Sequence, residues 1–304
     1  MFIRYLTRAF YKSTTFSLLL FLMATNSYAK PAEILVSIKP LHSLVSNITD
    51  GINQTQLLLT HQQSPHHFQL LPSQKRLINK ANIFFYSSDN VETFVPALKN
   101  TTQHLQFVQL SLIPDINALN VRGFHSHDTH TPGEVDGHIW LSINNAKIIS
   151  RHITQILSKH SPENATHYQK NLNHLLLKLD KLKQTNQLKL NKYKDNSYLV
   201  YHDAYQYFED ENQLTGAHFI TTDPEHKPGI KRVRELRKLI DDEKIQCIFY
   251  EPPNIPALLY TLTENKSVKL SAIDPAGLHI HMGKQHYFQL LQQTASALSN
   301  CLSQ

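Results

Sequence analysis

Glycine and cysteine are scarce in this chain of 304 residues, which holds 8 Gly and 2 Cys. So little glycine excludes a collagen-like fibre, and two cysteines cannot build a disulfide-dense scaffold. There is no C-x-x-C pair, no H-E-x-x-H and no G-x-S-x-G. The cysteine metal-site spacing, the zincin helix and the hydrolase nucleophile elbow are therefore all missing. Charged residues make up only 18% against 41% hydrophobic, a balance that argues against global disorder and gives enough apolar side chains for two ordinary domains. Histidine is what the sequence has in excess. Its 19 copies outnumber the 14 Phe, 13 Tyr and single Trp, and imidazole is the commonest metal ligand.

The N-terminus reads as an export signal. Arg4, Arg8 and Lys12 precede an apolar stretch at 16–24 that is too short to span a bilayer, and Ser27-Tyr28-Ala29 is a small-x-small cleavage site. The expected mature chain begins at Lys30. Setting the three basic leader residues aside lowers the formal net charge from +6 to +3 and removes no histidine. That residual charge is no nucleic-acid footprint, and no nucleic-acid partner is expected. Export also bears on Cys247 and Cys301, because an oxidising compartment favours a bridge over two free thiols. Closing a loop of that length stabilises a fold by about 4 kcal/mol in the chain-entropy model.

Strand and helix signals alternate twice. Short apolar runs at 34–38, 56–60, 83–86 and 105–110 read as strands, separated by helical stretches opened by Pro40 and Pro72. The segment 120–137 is polar and aperiodic, contains Gly, Pro and His125, His127 and His130, and reads as a loop. A helix is expected from 142 to about 159. Tyr168, Leu172, Leu175, Leu176, Leu179 and Leu182 then repeat at three and four, predicting about 30 residues of continuous helix. A second alternation of strands (198–201, 218–221, 247–250, 268–273) and helices follows. The expected fold class is α/β: two similar lobes, each a mainly parallel sheet flanked by helices, joined by one long helix, with the site in the cleft between them. The divisions are a signal peptide at 1–29, an N-terminal lobe at 30–159 carrying the His-containing loop, a linking helix at 160–192 and a C-terminal lobe at 193–304. The long helix is expected to restrict lobe motion to small rearrangements.

Ligands in open α/β sheets lie beyond the carboxyl ends of strands. His66, His138, His202 and Asp274 are each placed there by the pattern, two from each lobe, so one cleft would gather all four. Three imidazoles and a carboxylate or water suit Zn²⁺, and a neutral imidazole surrenders no proton to bind it.

These placements carry a resemblance. The segments SIKPLHSLVSNITDG, SPHHFQLLPSQ with KANIFFY, DGHIWLS, VYHDAYQYFE, the EP of YEPPN, IDPAG and the cysteine pair together resemble the metal-specific solute-binding proteins of bacterial ABC transporters, most nearly their periplasmic, ZnuA-like zinc-binding members, over roughly residues 32–302. The resemblance implies zinc capture in the periplasm, a membrane permease as partner and no catalysis; the chain is expected to be a monomer. It implies that His66, His138 and His202 are zinc ligands. Manganese-binding relatives have Glu at the His202 position, so this residue favours zinc. Some zinc members carry Glu immediately before the first ligand; here Pro65 stands there, which leaves Asp274 or a water as the fourth ligand. His67 reads as a bystander, and His125, His127 and His130 as a possible secondary zinc-capturing loop.

Two other functions fit parts of the pattern. A periplasmic zinc buffer or adhesin without a transporter would use the same fold, since fold does not fix function. An exported zinc hydrolase would need an open coordination position and a general base. The HSHDTH run at 125–130 is superficially similar to a metallo-β-lactamase metal run, but its Asp sits at the fourth place, not the fifth.

Overall fold

A computed structural model describes residues 33–60, 63–123 and 134–303. The expected leader at 1–29 and the loop histidines His125, His127 and His130 lie outside the described residues. Within the N-terminal half the elements run β1 (Ile34–Val36), α1 (Lys39–Ile48), β2 (Thr55–Leu57), α2 (Pro72–Lys80), β3 (Ile83–Tyr86), α3 (Val95–Thr101) and β4 (Gln106–Gln109). Helix α4 (Ile143–His160) and the long α5 (Ala165–Leu190) follow. The C-terminal half runs β5 (Tyr198–His202), α6 (Gln206–Asn212), β6 (Ala217–Thr221), α7 (Ile230–Asp242), β7 (Cys247–Tyr250), α8 (Ala257–Thr263), β8 (Lys269–Ala272) and α9 (His286–Leu302).

Both sheets are wholly parallel and share one topology, β2-β1-β3-β4 and β6-β5-β7-β8. In each, the chain steps out to one side of its first strand and returns on the other. The switch points therefore fall between β1 and β3 and between β5 and β7, where such sheets bind ligands. The strands read as near-continuous apolar runs because both faces are covered. Their two-residue period sends Ile34, Val36, Ile83, Phe85, Tyr198, Val200 and Phe249 into one central core. Leu35, Phe84 and Tyr86 go to an outer core behind the first sheet, and Leu199, Tyr201 and Ile248 to one behind the second.

That central core draws on both sheets, so the lobes are joined by more than a linker. Helix α5 has 26 residues, about 39 Å at 1.5 Å each, and buries Tyr168, Leu172, Leu175, Leu179, Leu182 and Leu190 along one stripe. The expected 30 residues are made up by short 3-10 turns at Pro162–Asn164 and Asn191–Tyr193. Helix α9, from the C-terminal half, packs on α5 and also on α1 of the first lobe. Polar contacts fix this crossing. Tyr287 donates its hydroxyl to Trp140 O (2.8 Å) and its N–H to Ser43 Oγ (3.1 Å), and Trp140 Nε1 donates to Pro275 O (2.8 Å). Lys39 Nζ donates to the carbonyls of Leu278 and Ile280 at 2.6 and 3.1 Å. Helix α4 starts at Ser142, whose hydroxyl accepts from Asn145 N, and its first free amides, Ile143 N and Asn144 N, donate to Glu211 of α6 across the lobes (2.7 and 2.8 Å).

Strand β2 ends at Leu57, short of the expected 60, although Leu58 N and Leu59 N still donate to Val36 O and Ser37 O at 2.8 and 3.0 Å. Among the described residues no helix is long and apolar enough to cross a membrane.

Cys247, the first residue of β7, is disulfide-bonded to Cys301 of α9, with Cα atoms 6.0 Å apart. The bond ties the second sheet to the helix that clasps the first lobe. Replacing both cysteines by serine is expected to lower unfolding free energy by about 2–4 kcal/mol, read from the urea midpoint.

Candidate metal centre

His202 is the last residue of β5, at the switch point of the second sheet. Across that point stands Glu251, one residue past the end of β7, with Oε1 3.0 Å from His202 Nδ1. An ionised carboxylate only accepts, so Nδ1 carries the hydrogen and Nε2 keeps its lone pair. That Nε2 is buried and has no hydrogen-bond partner. Burial alone would depress the imidazole pKa, but the charge and hydrogen bond of Glu251 outweigh it and hold the group above its ordinary value.

His138 reaches the same place by another route. It does not end a strand, as the sequence pattern suggested; it caps a 3-10 turn at Ile139–Leu141. Chain entry to this turn is set by Gly137, where a Cβ would lie 2.0 Å from Ser88 Oγ and 2.7 Å from Val91 Cγ2. Only a residue without a side chain lets the backbone pass so close. Asp136 Oδ1 then accepts from both His138 N (2.9 Å) and His138 Nδ1 (2.7 Å). Asp136 is itself fixed, its N–H donating to Leu119 O (2.8 Å) and its carbonyl accepting from Tyr207 OH (2.7 Å). Once more Nε2 is buried without a partner.

His66 comes from the loop after β2, half-buried, with its N–H on Ser64 Oγ (3.3 Å) and its carbonyl accepting from Thr93 Oγ1 (2.7 Å). Phe68, two residues on, packs edge-on against Phe94 and holds the loop down. Burial, then the neighbouring His138 and His202, pushes the His66 pKa down to about 2, so this imidazole is neutral over the whole working range. The three ring centroids lie 5.0–5.4 Å apart, and one donor atom from each falls within 4.8 Å of the others. Among the described residues this is the one group of its kind.

Asp274 is not in that group. Its carboxylate accepts three backbone N–H bonds, from Ala276 (2.9 Å), Gly277 (2.8 Å) and Leu278 (2.6 Å), which close the turn after β8. Gly277 sits at φ +61° in that turn, a conformation that favours glycine. Burial still raises the Asp274 pKa above its ordinary value, with the three amides working the other way.

A cavity of about 140 Å³ opens beside the imidazoles and is lined on its polar side by Asp136, Asp203, Asp223 and Glu134. Val121 and Glu134, flanking the polar segment, also line it. An antiparallel bridge pairs Asn120 with Val135, and Val121 N donates to Glu134 O (2.9 Å), which closes the loop at a neck. Arg122, on that neck, is paired with Asp203 and with Glu209 Oε2 (2.9 Å) of the second lobe. Sequence reasoning missed the parts played by Glu251 and Asp136. The first stood in a quoted motif and the second at the end of the polar 120–137 segment; an acid two residues before a candidate ligand was the available signal.

Fold and site together define a class: a two-lobed α/β binding protein with a cluster of three imidazoles closed into its cleft. The family described as zinc-uptake complex component A, periplasmic, matches residues 34–301, and the chain belongs to that family. It is a family of solute-binding proteins and not a known enzyme family. A high-affinity zinc uptake system protein ZnuA from Brucella suis is 30% identical over 305 aligned positions, which cover 89% of this chain and 91% of the relative. The protein of that name from Yersinia pestis is 28% identical over 290 positions, covering 89% and 91%. Among solved structures, the Mn²⁺ complex of the solute-binding protein FpvC from Pseudomonas aeruginosa is similar in fold, with a TM-score of 0.79 at 18% identity over 90% of this chain and 99% of that one. Zn(II)-bound AdcA from Streptococcus pneumoniae gives 0.72 at 23% identity, where 90% of this chain spans 58% of that longer protein.

Gly137→Ala is expected to force residues 88–91 or His138 aside, costing about 1–3 kcal/mol of stability. Denaturant unfolding measures the cost, and the shift of the His138 ring resonances shows whether the imidazole has moved.

Proposed function

We infer that this protein is the periplasmic zinc-binding component of an ABC transporter, capturing Zn²⁺ and delivering it to a membrane permease. One observation carries the assignment of the site. The Nε2 atoms of His138 and His202 are buried without any partner, and one ring nitrogen from each of His66, His138 and His202 lies within 4.8 Å of the other two. Buried polar atoms in a native fold are normally satisfied, and orphans gathered at one point mark a missing ligand. Tetrahedral zinc with Zn–N bonds of about 2.0–2.1 Å wants donor atoms about 3.3 Å apart, within reach of small ring rotations.

The donor set favours zinc over harder cations, because three neutral nitrogens offer no anionic oxygen. Two of the imidazoles are also backed by carboxylates, Asp136 and Glu251, which fix the tautomer and strengthen the nitrogen as a donor. Water completes the coordination, since the Asp274 carboxylate is engaged by its own turn. The same carboxylates argue against hydrolysis. Asp136 and Glu251 are both engaged with imidazole and neither is left as a general base for a zinc-bound water. The ion is held and passed on unchanged, without catalysis.

The mature protein is expected to bind one zinc tightly in competition with manganese, measured by elemental analysis and chelator titration. The combined change His66→Ala, His138→Ala and His202→Ala is expected to abolish that equivalent; tight binding retained by the triple variant would sink the assignment. A pH prediction follows from His202. Zinc binds the neutral ring, so affinity is full above the raised His202 pKa and falls as pH drops through it. Glu251→Gln removes the group that raises it, and the acid edge of zinc affinity should move to lower pH. At pH 7.5 the same variant should bind about 10–100-fold more weakly, as losing a carboxylate behind a ligating histidine usually does.

A further inference from the structure

At the switch point of the first sheet the chain places a carboxylate of its own. Glu92 is fully buried and bonds to the ends of both central strands. Its Oε1 accepts from Ser37 Oγ (2.6 Å), one residue past β1, and from Ser87 N (3.0 Å), one residue past β3. Its Oε2 accepts from Ser88 N (2.9 Å). The second sheet has Glu251 at the same topological place, but that carboxylate grips the ligand His202 directly. Glu92 grips a strap instead. From its anchor the segment 87–94 runs toward α3 and bonds to two ligand-bearing segments on the way. Ser87 Oγ donates to Gly137 O (2.5 Å) and Asn90 Nδ2 to Val135 O (2.6 Å), the carbonyls on either side of Asp136 and just before His138. Thr93 Oγ1 donates to His66 O (2.7 Å), and Phe94 packs edge-on against Phe68.

We propose that Glu92 is a positioning residue for zinc capture: by fixing the strap 87–94 it sets the separation of His66 and His138, the two ligands of the first lobe. The role rests on the reading of the triad as the zinc site. Donor spacing is what a tetrahedral nitrogen site selects on, and these two imidazoles come from loops that no sheet hydrogen bond joins. The strap joins them. Two buried amides, of Ser87 and Ser88, depend on Glu92 for an acceptor, so the turn cannot relax without orphaning them. Val91, seated in the central core, and Val95, at the start of α3 in the outer one, hold the strap down along its length.

The test uses the mature chain carrying Glu92→Gln, which keeps the side chain's size but turns an amide NH2 toward one of the three donors. Zinc affinity, read by chelator competition, should fall about 10–100-fold, as losses behind metal ligands usually do. The visible absorption of Co²⁺ bound in place of zinc should change as well, because it reads the geometry of the donor atoms. A carboxylate serving stability alone would lower the melting temperature and leave the Co²⁺ spectrum of the folded protein as it was; that result overturns the proposal. Thr93→Val tests the strap at an exposed side chain, and carries the test if Glu92→Gln does not fold. It should weaken zinc binding and alter the Co²⁺ spectrum, and Thr93→Ser, which keeps the hydroxyl, should recover both. Equal behaviour of the two Thr93 variants overturns the strap's hold on His66. Failure of the triad reading looks different. If the triple histidine variant still bound zinc tightly, the strap would be read in metal-free protein, where Glu92→Gln should move the ring nitrogen resonances of both His66 and His138; unmoved resonances overturn it there.

Discussion

Two imidazole edges held in the interior with nothing to bond to are the constraint around which this protein is built. A buried polar atom without a partner costs about 1–3 kcal/mol, and here two such atoms belong to rings whose centroids are 5.0 Å apart. The arrangement persists because each ring is gripped from behind. Asp136 takes the Nδ1 hydrogen of His138, and Glu251 takes that of His202. Each carboxylate is positioned by a separate segment: Asp136 by its bonds to Leu119 and Tyr207 beside the neck, and Glu251 by the end of β7. The surrounding fold thus fixes the orientation of both rings through carboxylates that are themselves held in place.

Rigidity of that order depends on how the lobes are joined. A single linking helix would leave two bodies free to rock; this chain instead runs one apolar core through both sheets and locks it with α9. The clasp of Tyr287, Trp140, Ser43 and Lys39 crosses the lobe boundary at several points, and Glu211 caps α4 from the other side. Opening the cleft as a wide hinge would break buried hydrogen bonds and expose core together.

Much of this was legible in the sequence because the pattern is local. The apolar runs IFFY and YLVY, the prolines opening α1 and α2 and the leucine stripe of α5 each fix an element by periodicity or chain geometry, and the duplicated alternation gives the two-lobe class. The positions of His66 and His202 could be read from the strand pattern, His202 at the end of β5 and His66 in the loop after β2. His138 was located by motif while its setting was misjudged: it lies on a 3-10 turn, and the reason, a close approach at Gly137 to Ser88 some fifty residues away, has no local trace. Asp274 shows the same limit from the other side. Its place after a strand is visible, but the three amides that engage its carboxylate belong to a turn whose closure only the folded backbone reveals. The crossing of α9 onto α1 was likewise invisible, since long-range helix packing leaves no periodic signature beyond an amphipathic face.

The neck at Asn120 and Val135 separates what lies beyond it from what lies behind it. Behind it, Asp136 and His138 are held by bonds that do not pass through the intervening residues. The neck itself is closed by backbone alone, through the Asn120–Val135 bridge and the bond from Val121 N to Glu134 O. Side-chain identity at the neck is thereby free to change without touching the bonds that aim His138, because those bonds run from Asp136 to Leu119 and Tyr207.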